Sequence, residues 1–228
     1  MTDFIVIGGG VAGISAAAQL SELGTVTVLE MEDALGYHAS GRSAAMFEQD
    51  YGSTSTVALS RASADHHRNA NGGYLTPRGL LMVAKADQIQ EFEHDINALD
   101  LQEISLDEAV TQVPILNLET AIRAAHHDTA QDIDTDRLIQ DYAKVLRANG
   151  GQVVTKATVT AISQTDGGWQ VTAGGTAFDC KQWSMLLALG WTKSPKWQVF
   201  PPSAFSPCAA LWPDCLSLVA TMSAAGPC

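Results

Sequence analysis

Cysteine is scarce: four residues in 228 (Cys180, Cys208, Cys215 and Cys228), with no Cys-x-x-Cys spacing. That excludes a zinc ribbon or a dense disulfide framework and points to a reducing compartment, so a cytoplasmic protein is expected. Basic residues are few as well, 13 Lys and Arg against 25 Asp and Glu, for a net charge of −12. Such a balance disfavours a broad phosphate-contacting surface, and no nucleic-acid partner is expected. No stretch approaches the ~20 apolar residues of a bilayer crossing. The acidic start Met1-Thr-Asp3 and the glycines at 8, 9, 10 and 13 are also unlike a secretory leader. With 17% charged and 46% hydrophobic residues, the composition suits a soluble protein of one or two domains.

Acidic residues are nearly absent from one part of the chain. The last 47 residues hold only Asp214 of the 25 acids, yet four of five Trp, six of eight Pro and three of four Cys. This segment has no helical or strand period, and residues 182–228 are expected to form an irregular tail.

The N-terminus is richly patterned. Asp3-Phe-Ile-Val-Ile7 is a continuous apolar run, as in a parallel strand covered on both faces. Gly8-Gly-Gly-Val-Ala-Gly13 follows at once, then apolar residues at helical spacing from Ile14 to Leu23, ended by Gly24, and a second strand, Thr25 to Leu29. Each glycine in this order has a physical role. Gly8 permits the tight turn, Gly10 the close approach of a pyrophosphate, and Gly13 the packing of helix on strand. The helix start, with Ala12 in its first turn, offers free amides to phosphate. Glu30 ends the second strand, where a carboxylate accepts ribose hydroxyls and disfavours the extra phosphate of NADP. The glycines leave NAD and FAD open. The following segment, Gly36 to Met46, supplies Ser40, Gly41, Arg42 and Ser43, which can wrap a diphosphate from the other side.

The glycine turn, the Ser40-to-Ala45 segment and a later Asp132-Ile-Asp-Thr-Asp-Arg-Leu138 together resemble the FAD-dependent oxidoreductases of the D-amino-acid oxidase type, and within them the flavin amino-acid dehydrogenases that resemble D-arginine dehydrogenase. The likeness runs from about residue 3 to 181. It implies an α/β fold: a Rossmann-type FAD-binding domain, with a parallel sheet and an antiparallel meander, interrupted by part of an α+β substrate domain. The expected divisions are 1–52 and 132–181 for the FAD-binding parts, 53–131 for the partial substrate domain, and 182–228 for the tail. The resemblance also implies cofactor contacts at Gly8, Gly10, Ala12, Gly13, Glu30, Met31, Ser40, Gly41, Arg42, Ser43 and Ala44, and at the backbone of Val159, with Tyr51 bordering the substrate. No metal site is expected: the adjacent pairs His66-His67 and His126-His127 lack ligand spacing.

Within the middle region, helices are expected near Thr56–Arg68 and Ala86–Leu99 and a strand at Gly79–Ala84. Asp134 is placed to start a helix that carries Leu138, Ile139, Tyr142 and Leu146 on one face. Gln152–Thr155 reads as a third parallel strand, and Val159–Ile162, Gly168–Thr172 and Thr176–Cys180 as the meander.

The implied reaction is oxidation of an amine or D-amino acid to an imine and then a 2-oxo acid, by hydride transfer to flavin. The catalytic residues and the electron acceptor are unassigned. Met46 stands where arginine-specific relatives have a His, and Leu80 where they have a Glu. A cationic substrate would therefore lose its partner, which favours a neutral or apolar amino acid. From residue 182, regrouping the codons by one base permits a string beginning VVNAAGAW, the strand such flavoproteins carry here. A frame change near residue 181, and with it a chain that holds the adenosine half of the site without the flavin-ring half, is the expectation; an intact frame across codons 175–190 would refute it. The alternatives are an inactive nucleotide-binding fragment and an NAD-dependent Rossmann dehydrogenase.

Overall fold

Every side chain of the run Ile5-Val6-Ile7 is buried, because the strand it forms is covered on both faces. In chain order, the computed structural model, described over residues 1–185, contains β1 (Thr2–Ile7), α1 (Val11–Leu20), β2 (Val26–Leu29), β3 (Met46–Phe47), α2 (Thr54–Asn69), β4 (Leu75–Pro77), β5 (Leu80–Ala84) and α3 (Ile89–Ala98). There follow β6 (Gln102–Ile104), α4 (Leu106–Gln112), β7 (Arg123–His127), β8 (Gln131–Ile133), α5 (Thr135–Ala148), β9 (Gln152–Val154), β10 (Val159–Thr165), β11 (Gly168–Ala173) and β12 (Thr176–Met185). They divide into two units, residues 1–43 with 135 onward, and residues 44–134.

The first unit is built on a six-stranded sheet in the order β10-β11-β12-β1-β2-β9. β12, β1, β2 and β9 run parallel; β10, β11 and β12 are antiparallel neighbours. Alternation along β1 explains the packing. Val6 joins Val26 and Val28 of β2 with Ile14, Ala17, Ile139, Ala143 and Leu146, from the facing sides of α1 and α5. Ile5 and Ile7 turn the other way and pack with Leu29, Trp169, Val171 and Cys180. At ~25 cal/mol per Å² of apolar surface, these two clusters are the main favourable term in the unit's stability.

The second unit has two small antiparallel sheets, β3-β8-β4 and β5-β7-β6. Its core is modest: Ala84, Phe92, Leu99, Leu101 and Ala125. Its helices are held by caps, with Ser53 accepting the Thr56 amide at the start of α2 and Ser105 and Glu108 forming a reciprocal capping box on α4.

Two boundaries fall a few residues away from those expected. Residues 44–52 and 132–134 belong to the second unit and not to the nucleotide-binding parts, because β3 pairs with β8 (Met46 with Asp132, Phe47 with Gln131). The segment from 182 is not irregular at its start: β12 continues to Met185, in register with β1 from Phe4↔Gln182 to Ile7↔Met185. Trp183 fits there because its ring packs edge-on to Trp169, 5.9 Å between centroids. The remainder of the expected tail, and with it most of the segment on which the frame change was read, lies outside the described residues.

Candidate nucleotide-binding site

The site grows from the ends of β1 and β2 in the first unit. β1 stops at Ile7 because Gly8 turns sharply, at φ +108, a conformation that favours glycine, while its amide donates to the Leu29 carbonyl at 2.9 Å. α1 then starts at Val11, and its N-cap residue Gly10 has no side chain to cap it. A methyl group at Gly13 would run into the Gly8 carbonyl, so only glycine lets helix and turn approach this closely. At Gly10 an added methyl group would meet one atom, Ser40 Oγ, at 3.2 Å. The surface over Gly10 is thus open except on the side where the later loop arrives.

Glu30 is the pivot. Its residue is 7% exposed. Oε2 accepts the Gly9 amide at 2.6 Å and Oε1 the Glu32 amide at 2.9 Å. An ionised carboxylate has about four acceptor positions, so two remain after these bonds. The backbone around it is equally fixed: its amide donates to the Val154 carbonyl, and its carbonyl accepts the Ala157 amide. Those bonds bring the 154–157 stretch beside the acid, and Val159 opens β10 two residues later, next to an irregularity in the β10–β11 pairing. Met31, the next residue after Glu30, is half exposed.

The 36–43 loop closes the turn from the opposite side. Ser40 Oγ accepts the Val11 amide at 3.0 Å, and the Gly36 amide donates to the Gly9 carbonyl at 3.0 Å. Gly41 is held by its own amide on the Gly36 carbonyl at 2.7 Å, where a Cβ would collide. Ala39–Gly41 form one turn of 3-10 helix. Arg42 lies exposed, its Nε donating to the Tyr37 carbonyl at 2.9 Å and its guanidinium stacked over the Tyr37 ring at 4.6 Å. A cation held by one carbonyl and one ring keeps N–H donors for an anion.

Of the residues named from the sequence, the fold gathers Gly8, Gly10, Ala12, Gly13, Glu30, Ser40 and Gly41 around one turn. Arg42 and Ser43 follow directly in the chain. Ala44 and Tyr51 fall in the second unit. There the Ala44 carbonyl accepts Arg78 Nη1 at 2.9 Å, and Tyr51 is exposed. The bonds of Glu30 to Gly9 and of Ser40 to Val11 were not foreseen; the spacing of glycines and acid shows that they can meet, not which amide each takes.

The family model for FAD dependent oxidoreductases matches residues 3–206. The chain belongs to that family. The family is FAD-dependent, and the open glycine turn, the spare acceptor positions of Glu30 and the donors of Arg42 suit the adenosine diphosphate portion of that group. Solved structures of similar fold include the dithionite-reduced L-α-glycerophosphate oxidase of Mycoplasma pneumoniae with FAD bound, 21% identical, with a TM-score of 0.67 over 80% of this chain and 53% of that one. Glycine oxidase of Geobacillus kaustophilus is 20% identical, with a TM-score of 0.65 and coverage of 81% and 54%. L-proline dehydrogenase of P. horikoshii is 18% identical, with a TM-score of 0.64 and coverage of 81% and 52%. The chain spans about half the length of these proteins. Among the described residues, no helix is long and apolar enough to cross a membrane.

Proposed function

We propose that this chain binds FAD through its first unit and serves the oxidation of an amine, with a neutral D-amino acid as the favoured substrate. The observation that carries the reading is the Glu30 carboxylate, fixed by two amides at the mouth of the Gly8–Gly13 turn with acceptor positions to spare for ribose hydroxyls. Gly8, Gly10, Ala12 and Gly13 would face the diphosphate, with Ser40, Gly41, Arg42 and Ser43 of the same unit enclosing it. Met31 and the Val159 backbone would border the adenine. When bound, FAD supplies the acceptor for the two electrons and the proton leaving the substrate carbon. The protein's part is to hold, orient and desolvate. Leu80, half-buried at the start of β5, supports a neutral substrate, because it offers a cation no carboxylate. Tyr51 is the side chain of the second unit assigned to the substrate.

The test is purification of the full chain followed by anaerobic addition of neutral D-amino acids. Bound flavin that bleaches supports the proposal. A bound nicotinamide with no flavin would favour the NAD-dependent alternative, and flavin that no amine bleaches would favour a nucleotide-binding fragment. Glu30→Ala is expected to weaken FAD binding at least about tenfold through the loss of charge-assisted hydrogen bonds.

A further inference from the structure

The second unit contains a buried acid–base pair that takes no part in the nucleotide site. Glu48 follows β3 and His127 ends β7; their side chains are 6% and 8% exposed, and Oε2 stands 3.3 Å from Nε2. The alignment falls short of a hydrogen bond, and among the described residues neither atom has another hydrogen-bond partner. The imidazole is otherwise oriented. Its Nδ1 accepts the Thr129 amide at 3.2 Å, which leaves the proton on Nε2, facing the carboxylate. The carboxylate is oriented too, with Oε1 accepting the Asp50 amide at 3.2 Å.

Glu48 is the first of three successive anchored side chains. Gln49 accepts from Arg68 Nη2 at 3.3 Å, and Asp50 pairs with Arg61 at 2.6 Å. Both arginines lie on α2 and both contacts are exposed, so solvent and salt take most of their value. Glu48–His127 is the desolvated contact, where loss of one partner leaves a buried polar group unmet. Directly after these anchors comes Tyr51, 64% exposed, then Gly52 at φ +113 and the α2 cap Ser53. A turn tied down at three consecutive positions presents its fourth residue, a large aromatic, to solvent.

We propose that Glu48 and His127 are a positioning pair: they pin the 48–52 turn and so fix the side chain of Tyr51, which sets how tightly the amine substrate is held. The link to substrate rests on the reading given under Proposed function; the pinning of the turn stands on the second unit alone.

The test uses the full chain with FAD added and compares wild type with Glu48→Gln, Glu48→Ala and His127→Phe. Hydrogen exchange is read on peptides covering 47–53 and, as a control, α3 and β6. Glu48→Ala and His127→Phe are expected to speed exchange in 47–53 by about tenfold or more, with the control elements little changed. Glu48→Gln, which keeps an acceptor for the Asp50 amide and is the variant least disturbing to folding, is expected to lie between them and wild type. Unchanged exchange in 47–53, or an equal rise throughout the unit, would overturn the pair's role. With D-methionine as the probe substrate, the alanine variant is expected to raise KM about tenfold and leave kcat within about twofold. A fall in kcat with KM unchanged would overturn the link to substrate. If D-methionine and the other amines fail to bleach the wild-type flavin, the proposed function fails and the link to substrate with it, while the exchange data still decide the pinning of the turn.

Discussion

The acids that shape the key turns of the two units are held by different means, and the difference bears on how each fails. In the first unit the key carboxylate, Glu30, is met by backbone amides, and the hydrophobic clusters include side chains with no exposure at all. In the second unit the sheets are short and the contacts that shape the turns run between side chains, His127 to Glu48, Arg61 to Asp50 and Arg123 to Glu93 and Glu103. An amide donor carries no net charge for salt to screen or acid to neutralise, whereas both members of an ion pair do.

Core truncations separate the units most sharply. Leu146→Ala and Phe92→Ala are each expected to cost about 4 kcal/mol. Hydrogen exchange should then rise first in β1 and β2 for the former and in β5 and β7 for the latter; a uniform rise in both variants would dissolve the contrast. Gly13→Ala, which drives a methyl group into the Gly8 carbonyl, is expected to cost about 2–3 kcal/mol by overpacking. It should also lower FAD retention, measured as flavin absorbance after gel filtration. Ser105→Ala removes the capping box of α4 and is expected to cost about 1 kcal/mol in urea titration, with no change in flavin content.

The pH response is confined to acid conditions. Burial pushes the His67 imidazole down to about 4, the neighbouring His66 adding to the shift. The unfolded chain then binds the proton more readily than the folded one. Stability is whole above about pH 6.5, the ordinary histidine value, and declines as pH falls toward 4. A His67→Gln variant should flatten that part of the urea midpoint against pH; an unchanged slope would remove His67 as its cause.

The first unit was readable because its signals are local. Asp3 to Ile7 has one period, the glycines one spacing, and Glu30 one place at the end of a strand. The second unit was less so. α2 begins at Thr54, ahead of the expected Thr56, because Ser53 caps it. α4 was not anticipated at all, although Ser105-Leu-Asp-Glu108 is a capping-box pattern that announces it. β7, reading Arg-Ala-Ala-His-His, has no strand period and is set by its neighbours β5 and β6. The Glu48–His127 contact joins residues far apart in the chain, and no local pattern foretells such a meeting. At the site, spacing named the glycines and the acid, but the amide each side chain takes depends on how the 36–41 loop returns over α1.

β1 is made well before β12 yet lies inside the sheet, with β2 on one flank and β12 on the other. Its β2 flank can zip once Leu29 has been made, but the opposite row of amides and carbonyls has to wait until the chain has passed Cys180, after the entire 44–134 insertion has been made. During that interval an apolar strand with an open edge is a template for any passing strand. Late closure of this kind slows folding and invites self-association, so yield in the cell should depend on chaperone supply and growth temperature more than on the stability of the finished sheet.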